Sequence, residues 1–218
     1  TPLTAIRSVG EVGLRSRRDE ATYREIIGSM LEEADRLANL VDRLLTLSRA
    51  DTGEAKLSID IVDLPELAHE IAEQLGVLAE EKRQSIRVHC DATPRWIGDR
   101  TVLRQALLNL VDNAIKYSPA GGEIEIRVAQ TPAGATIDVN DTGPGIPAGL
   151  QSRIFDRFYR VDKARSRENG GTGLGLAIAK WAVEVNGGRL TLEANDGAGS
   201  TFRITLPQGR AASVLQTS

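Results

Sequence analysis

Asn109-Leu110-Val111-Asp112-Asn113-Ala114-Ile115-Lys116-Tyr117 stands at the middle of a 218-residue chain, and its reading decides the fold around it. Taken as helix, it places Asn109, Asn113 and Lys116 at i, i+4 and i+7, on one face. Leu103, Leu107, Leu110, Val111 and Ala114 line another face, which predicts a helix over Asp99 to Lys116. Two amides and an amine in line can offer carbonyl oxygens to a hydrated Mg²⁺ and a positive charge to phosphate. The same pattern is also what the solvated side of any helix looks like.

Outward from this helix the periodicity alternates between helix and strand. Before it, Leu64 to Glu81 is helical in period and Ser85 to Cys90 alternates as a strand. After it come two strands, Glu123 to Ala129 and Ala135 to Asn140, and then a polar, glycine-containing stretch from Asp141 to Gly171. A third helix spans Leu174 to Glu184 and stops at Gly187-Gly188, followed by strands over Arg189 to Ala194 and Thr201 to Leu206. Strand pairs and helices segregated in this way predict an α+β sandwich, one sheet covered by a helical layer, over residues 63–207. Residues 208–218 read as a polar, frayed tail.

The first fifty residues predict two helices. From Tyr23 to Ser48 a heptad seam runs Ile27, Met30, Ala34, Leu37, Val41, Leu44, widened by Leu31, Ala38 and Leu45. Leu3, Ile6, Val9 and Gly13 or Leu14 form a shorter stripe before it, and either Asp19 or Thr22 is placed to cap the second helix. A helix with so broad a seam cannot bury it alone. Residues 1–53 are therefore expected to form an antiparallel helical hairpin that makes a four-helix bundle as a homodimer, the alternative being a hairpin packed on its own second domain. Ala50 to Glu54, with Gly53 as helix terminator, reads as the start of a linker that runs over 54–62.

Composition narrows the function. With 27 basic and 30 acidic residues the net charge is −3, with no basic excess for non-specific nucleic-acid binding. The single cysteine, Cys90, excludes an internal disulfide and suits a reducing compartment. No apolar run approaches the roughly 20 residues that span a bilayer, and no signal peptide opens the chain, so a cytoplasmic piece is expected. Many of the 21 glycines fall between Gly121 and Gly199, where backbone must bend or approach a ligand closely.

Three segments in that half carry chemistry. Asp141-Thr142-Gly143-Pro144-Gly145-Ile146-Pro147 follows a strand. An ionised carboxylate there accepts hydrogen bonds only, and so prefers the amino group of adenine to the carbonyl of guanine. A solvated Asp in a tight turn is the plainer reading. Gly170-Gly171-Thr172-Gly173-Leu174-Gly175-Leu176 runs into a helix, whose N-terminal N–H groups favour polyphosphate. Leu176 excludes both a P-loop, which needs lysine there, and a dinucleotide fingerprint begun at Gly171, which needs glycine. Between them Ile154-Phe155-Asp156-Arg157-Phe158-Tyr159-Arg160 is either a lid anchored by aromatics, with arginines reaching phosphate, or a short amphipathic helix.

In this order, NLVDNAIKYS, DTGPGIP, IFDRFYR and GTGLGLAIAK resemble the N, G1, F and G2 boxes of the ATP-binding domain shared by histidine kinases, gyrase-type ATPases, Hsp90-type chaperones and MutL proteins, in the histidine-kinase version. Thr1-Pro2-Leu3-Thr4-Ala5-Ile6 is similar to the end of that family's H box. The resemblance implies ATP and Mg²⁺ as cofactors, with Asp141 on the adenine amino group and Asn113 with Asn109 on Mg²⁺. It further implies Lys116 and Arg160 on phosphates, Tyr117 beside the base, Gly143, Gly145 and Ile146 shaping the pocket edge, and Gly171, Thr172, Gly173, Leu174 and Gly175 closing over the triphosphate. Its partners would be a second copy and a response-regulator receiver domain, with any membrane anchor in an upstream sensor region. His69 and His89 are not in an H-box context; the resemblance puts the phospho-accepting histidine four residues before Thr1, and Thr1 at the position that assists dephosphorylation of the regulator. The chain is accordingly expected to bind ATP without labelling itself. The competing expectation is a non-kinase ATPase of the same superfamily that works as a clamp.

Overall fold

A computed structural model describes residues 2–15, 19–52, 56–161, 172–194 and 199–208. The chain divides into two compact units, Thr1–Ala55 and Lys56–Ser218.

In the first unit α1 (Pro2–Arg15) and α2 (Glu20–Thr52) form a hairpin. Asp19, rather than Thr22, is the cap: its Oδ1 accepts the Thr22 N–H at 2.9 Å. The helix runs past the expected Ser48, so Ala50, Asp51 and Thr52 belong to it and not to a linker; Gly53 lies outside the described residues. Two glycines one turn apart let the helices approach. A Cβ built on Gly13 meets Ile26 at 3.3 Å, and one on Gly10 meets Met30 at 3.4 Å. Much of the seam on α2 stays uncovered, with Leu31 59% and Leu45 50% exposed and Ile27, Val41 and Leu44 also open.

The second unit contains β1 (Ile59–Asp63), α3 (Leu64–Glu81), β2 (Ser85–Cys90), β3 (Arg95–Asp99), α4 (Arg100–Tyr117), β4 (Glu123–Thr131), β5 (Gly134–Asp141), a 3₁₀ turn at Ala148–Leu150, α5 (Gly175–Val185), β6 (Arg189–Ala194) and β7 (Ser200–Pro207). Five strands form one sheet in the order β2-β4-β5-β7-β6, with β2 parallel to β4 and the other pairs antiparallel. Ile124, Ile126, Ile137, Val139, Phe202 and Ile204 share the inward face and join the core with Leu67, Ile71, Leu107 and Leu110 of α3 and α4. The outward face is polar and internally paired. Arg203 chelates Asp138 through two bonds of 2.8 Å, and Asn140 links Glu125 on β4 to Thr201 on β7. Alternation with period two thus builds the two layers.

Strands β1 and β3 pair as a separate ribbon, and neither was expected; Ile59 to Val62 fall in the predicted 54–62 linker. Each ribbon strand ends in an aspartate that caps the next helix. Asp63 accepts the Glu66 N–H at 3.0 Å to open α3, and Asp99 accepts the Val102 N–H at 3.0 Å to open α4. The far end of α4 is held by buried Gln84, whose Nε2 donates to the carbonyls of Ile115, Ser118 and Pro119.

Candidate functional site

Along α4 the three aligned polar residues have different surroundings. Asn109 is only 3% exposed, and its Nδ2 donates to the Gln105 carbonyl at 2.8 Å. Its Oδ1 faces α5: a Cβ built on Gly175 would lie 3.3 Å from it and 3.6 Å from Asn113 Nδ2. The first turn of α5 therefore sits flush against two amides, which only glycine permits without crowding. The preceding Leu174 provides no side-chain cap, so the N–H groups opening this helix remain donors for an anion. Lys116 is not a free cation, because its Nζ pairs with Asp112 Oδ2 at 2.5 Å on its own helix.

Asp141 ends β5 in register with Ser200 of β7 and on the same inward side as Val139. Its carboxylate therefore points between the layers. Burial holds it above the ordinary carboxylate range, partly offset by N–H groups of Gly143 and Ser200. The Gly143 N–H donates to Oδ1 at 2.8 Å, and a Cβ on Gly143 would come within 2.7 Å of that oxygen and 3.3 Å of the Tyr117 carbonyl. Asp141, Gly143 and Tyr117 are thereby brought together. Gly145 turns the chain at φ +70°, and Ile146 packs its side chain against the core.

Among the described residues of this segment, 148–161, the 3₁₀ turn leads into successive turns and no α-helix forms. Phe155 meets Phe202 edge-on at 6.5 Å, and the Arg153 guanidinium lies 4.5 Å over the Tyr159 ring. Phe158 stays exposed with φ +63°, and its N–H donates to the Gly173 carbonyl at 2.9 Å. Gly173 has φ +72°, and a Cβ there would strike the Phe158 backbone at 2.8 Å. Arg160, next along, has buried Nε and Nη2 atoms with no hydrogen-bond partner among the described residues. Leu174 is fully buried and Thr172 half-buried. Gly171 and Thr1 lie outside the described residues.

The structure thus gathers three groups: Asn109 and Asn113 with Gly175; Asp141 and Gly143 with Tyr117; and Gly173 with the Phe158–Tyr159 backbone. Two supports were not foreseen. Ser200 backs Asp141 through strand pairing, and Gly199, at φ +111°, lets β7 lie against the Asp141 carbonyl. Neither has a local signal, since both depend on register. The two histidines are both exposed, and His89 bonds Asp91 at 2.9 Å.

A helical layer over a mixed sheet, with two asparagines facing a glycine-opened helix and an inward Asp at a strand end, defines a class of nucleotide-binding domain. Residues 98–210 match the model for the histidine kinase-, DNA gyrase B-, and HSP90-like ATPase family, to which the chain belongs. Residues 1–53 match the His Kinase A (phospho-acceptor) domain, and the pair of domains places the chain among the sensor histidine kinases. It is 38% identical over 208 residues to the sensor-like histidine kinase SenX3 of Mycolicibacterium smegmatis, covering 95% of this chain and 54% of that protein. Its fold matches the Acinetobacter baumannii histidine kinase AdeS with a TM-score of 0.77 at 24% identity, covering 96% of both chains. It also matches histidine kinase ThkA, solved in complex with response regulator protein TrrA, with a TM-score of 0.76 at 25% identity over 96% of this chain and 58% of that one. The chain spans about half the length of the curated relatives it matches.

Proposed function

We propose that this chain is the catalytic region of a two-component sensor histidine kinase, which binds Mg-ATP and, in the longer protein, delivers the γ-phosphate to a histidine upstream of Thr1 and thence to a response-regulator aspartate. The observation that carries the reading is Arg160. Its Nε and Nη2 are buried with no hydrogen-bond partner among the described residues, and an oxyanion is the ligand that completes such a pair.

The residues divide the work by chemistry. Asp141 accepts from the adenine amino group, and Tyr117 lies by the base. The Asn109 and Asn113 amide oxygens are hard donors that suit Mg²⁺, which would neutralise triphosphate charge when bound. N–H groups from Gly173 onward, with Thr172 and Gly171, cradle the phosphates, while Arg160 and Lys116 balance charge developing on the transferred group. Phosphoryl transfer needs little covalent chemistry from the protein, so positioning is its main contribution. A neutral imidazole nitrogen then attacks phosphorus in line. The open apolar seam of α2 fits a homodimer, and the ThkA–TrrA complex supports a receiver domain as partner, with Thr1 at the position that assists dephosphorylation. No helix among the described residues is long and apolar enough to cross a membrane; a membrane anchor belongs to the upstream sensor region. The phospho-acceptor match disfavours the non-kinase clamp.

Calorimetry with a non-hydrolysable ATP analogue and Mg²⁺ tests the site. The native chain binds, the GTP counterpart binds at least about ten-fold more weakly, and Arg160→Ala weakens binding by about ten-fold or more. Undiminished affinity in Arg160→Ala overturns the assignment. For the kinase step, a longer chain that includes the upstream histidine takes acid-labile label from ATP, whereas the chain of 218 residues takes none. Label on His69 or His89 overturns that part.

A further inference from the structure

Asn186 is completely buried and follows the last residue of α5. Its Oδ1 accepts the Asp99 N–H at 2.8 Å, and its Nδ2 donates to the Asp99 carbonyl at 3.3 Å and the Ala182 carbonyl at 3.1 Å. The amide thus pairs face to face with the peptide groups of the residue that caps α4. Asp99 itself is 5% exposed and uses every polar atom it has. Its Oδ1 opens α4 at Val102, and its Oδ2 accepts the Ser58 N–H at 2.8 Å. Ser58 lies just before β1, near the point where the chain enters this unit.

The two helices run antiparallel. At one end Gly175 abuts Asn109 and Asn113; at the other, Asn186 grips Asp99. An 11-residue helix is a rod of about 16 Å, so fixing one end fixes the other. Slippage by one residue, about 1.5 Å, would part Gly175 from the two amides. We infer that Asn186 and Asp99 form a clamp that sets the register of the nucleotide-binding helices, and that Ser58 ties the segment entering from the helical unit into that clamp, so that this segment and the nucleotide site bias one another. This rests on the nucleotide reading above and adds a positioning role to residues at the far end of a helix about 16 Å long. Coupling of this kind is reciprocal: whatever factor the nucleotide exerts on the Ser58 bond, that bond exerts on nucleotide affinity.

Hydrogen exchange on the full chain, with and without Mg²⁺ and a non-hydrolysable ATP analogue, reads the first half of the loop. The Ser58 amide is expected to exchange at least about five-fold more slowly with the analogue bound. Ser58→Pro reads the second half, since it removes the N–H that Asp99 Oδ2 accepts, at an exposed position. Its dissociation constant should rise by the same factor, with preference for adenine over guanine unchanged. Should that variant fold poorly, the exchange measurement on the native chain still decides. A merely structural clamp would lower the melting temperature of Ser58→Pro without moving either nucleotide-dependent quantity, and that result overturns the inference. An analogue that binds while Ser58 exchange stays constant likewise sinks the clamp alone; an analogue that does not bind the native chain sinks the nucleotide reading beneath it.

Discussion

Asp141 is placed on the inward side of β5, where its ionised form is poorly solvated, and burial accordingly raises its proton affinity. A carboxyl whose folded pKa lies above the unfolded value favours folding below the unfolded pKa, near 3.9, and loses that contribution as pH rises through the folded value. Asp141→Asn should therefore raise the melting temperature at neutral pH, with the gain vanishing as pH falls below about 4; thermal melts across pH check this. The same variant should lose ATP affinity by about ten-fold or more, since the amide can turn a donor toward the adenine amino group. Stability and binding thus move in opposite directions at one residue, as expected where function imposes a buried charge. At Gly173 they move together. Alanine there is strained at φ +72° and collides with the Phe158 backbone, so Gly173→Ala should weaken nucleotide binding and expose the segment around Phe158 to proteolysis.

At the scale of elements, α4 is the best determined and the ribbon the least. The α4 stripe is a local signal, and it predicted the helix to within one residue at either end; Asp99, expected inside the helix, is instead its cap. Strands β1 and β3 are five residues each and lack a clean alternation. Arg95-Trp96-Ile97-Gly98-Asp99 becomes a strand because it pairs with residues 59–63 and because Gly98 leaves room for the Trp96 ring. That dependence gives a test. A Cβ on Gly98 would overlap the ring at 1.9 Å, so Gly98→Ala should expel Trp96, red-shift its fluorescence and destabilise the second unit by roughly 1–3 kcal/mol or more. Leu110→Ala, on the buried face of α4, should cost about 2–5 kcal/mol in denaturant unfolding while the ribbon keeps its pairing.

At the scale of the molecule, the uncovered seam of α2 is the feature that a single chain leaves unresolved. Leu31 and Leu45 lie on it half or more exposed, far more than an apolar heptad tolerates in a stable isolated hairpin. The chain should run as a dimer by light scattering. Leu31→Glu with Leu45→Glu should give monomers that still bind the ATP analogue with unchanged affinity, because the nucleotide residues all belong to the second unit.

The sequence by itself determined the helical hairpin and the two-layer sandwich, and it supplied the residues proposed for the nucleotide site, because helical and strand periods and glycine loops are encoded within a few residues of one another. Even the inward direction of Asp141 follows from period two once β5 is assigned. Only the tertiary structure decided what those residues meet. Lys116 is tied to Asp112, the amides of Asn109 and Asn113 face Gly175, and Arg160 has two buried nitrogens with no partner among the described residues. The Asn186–Asp99–Ser58 clamp joins positions 41 and 87 residues apart. Contacts at such separations depend on how helices and strands pack, and no local pattern records them.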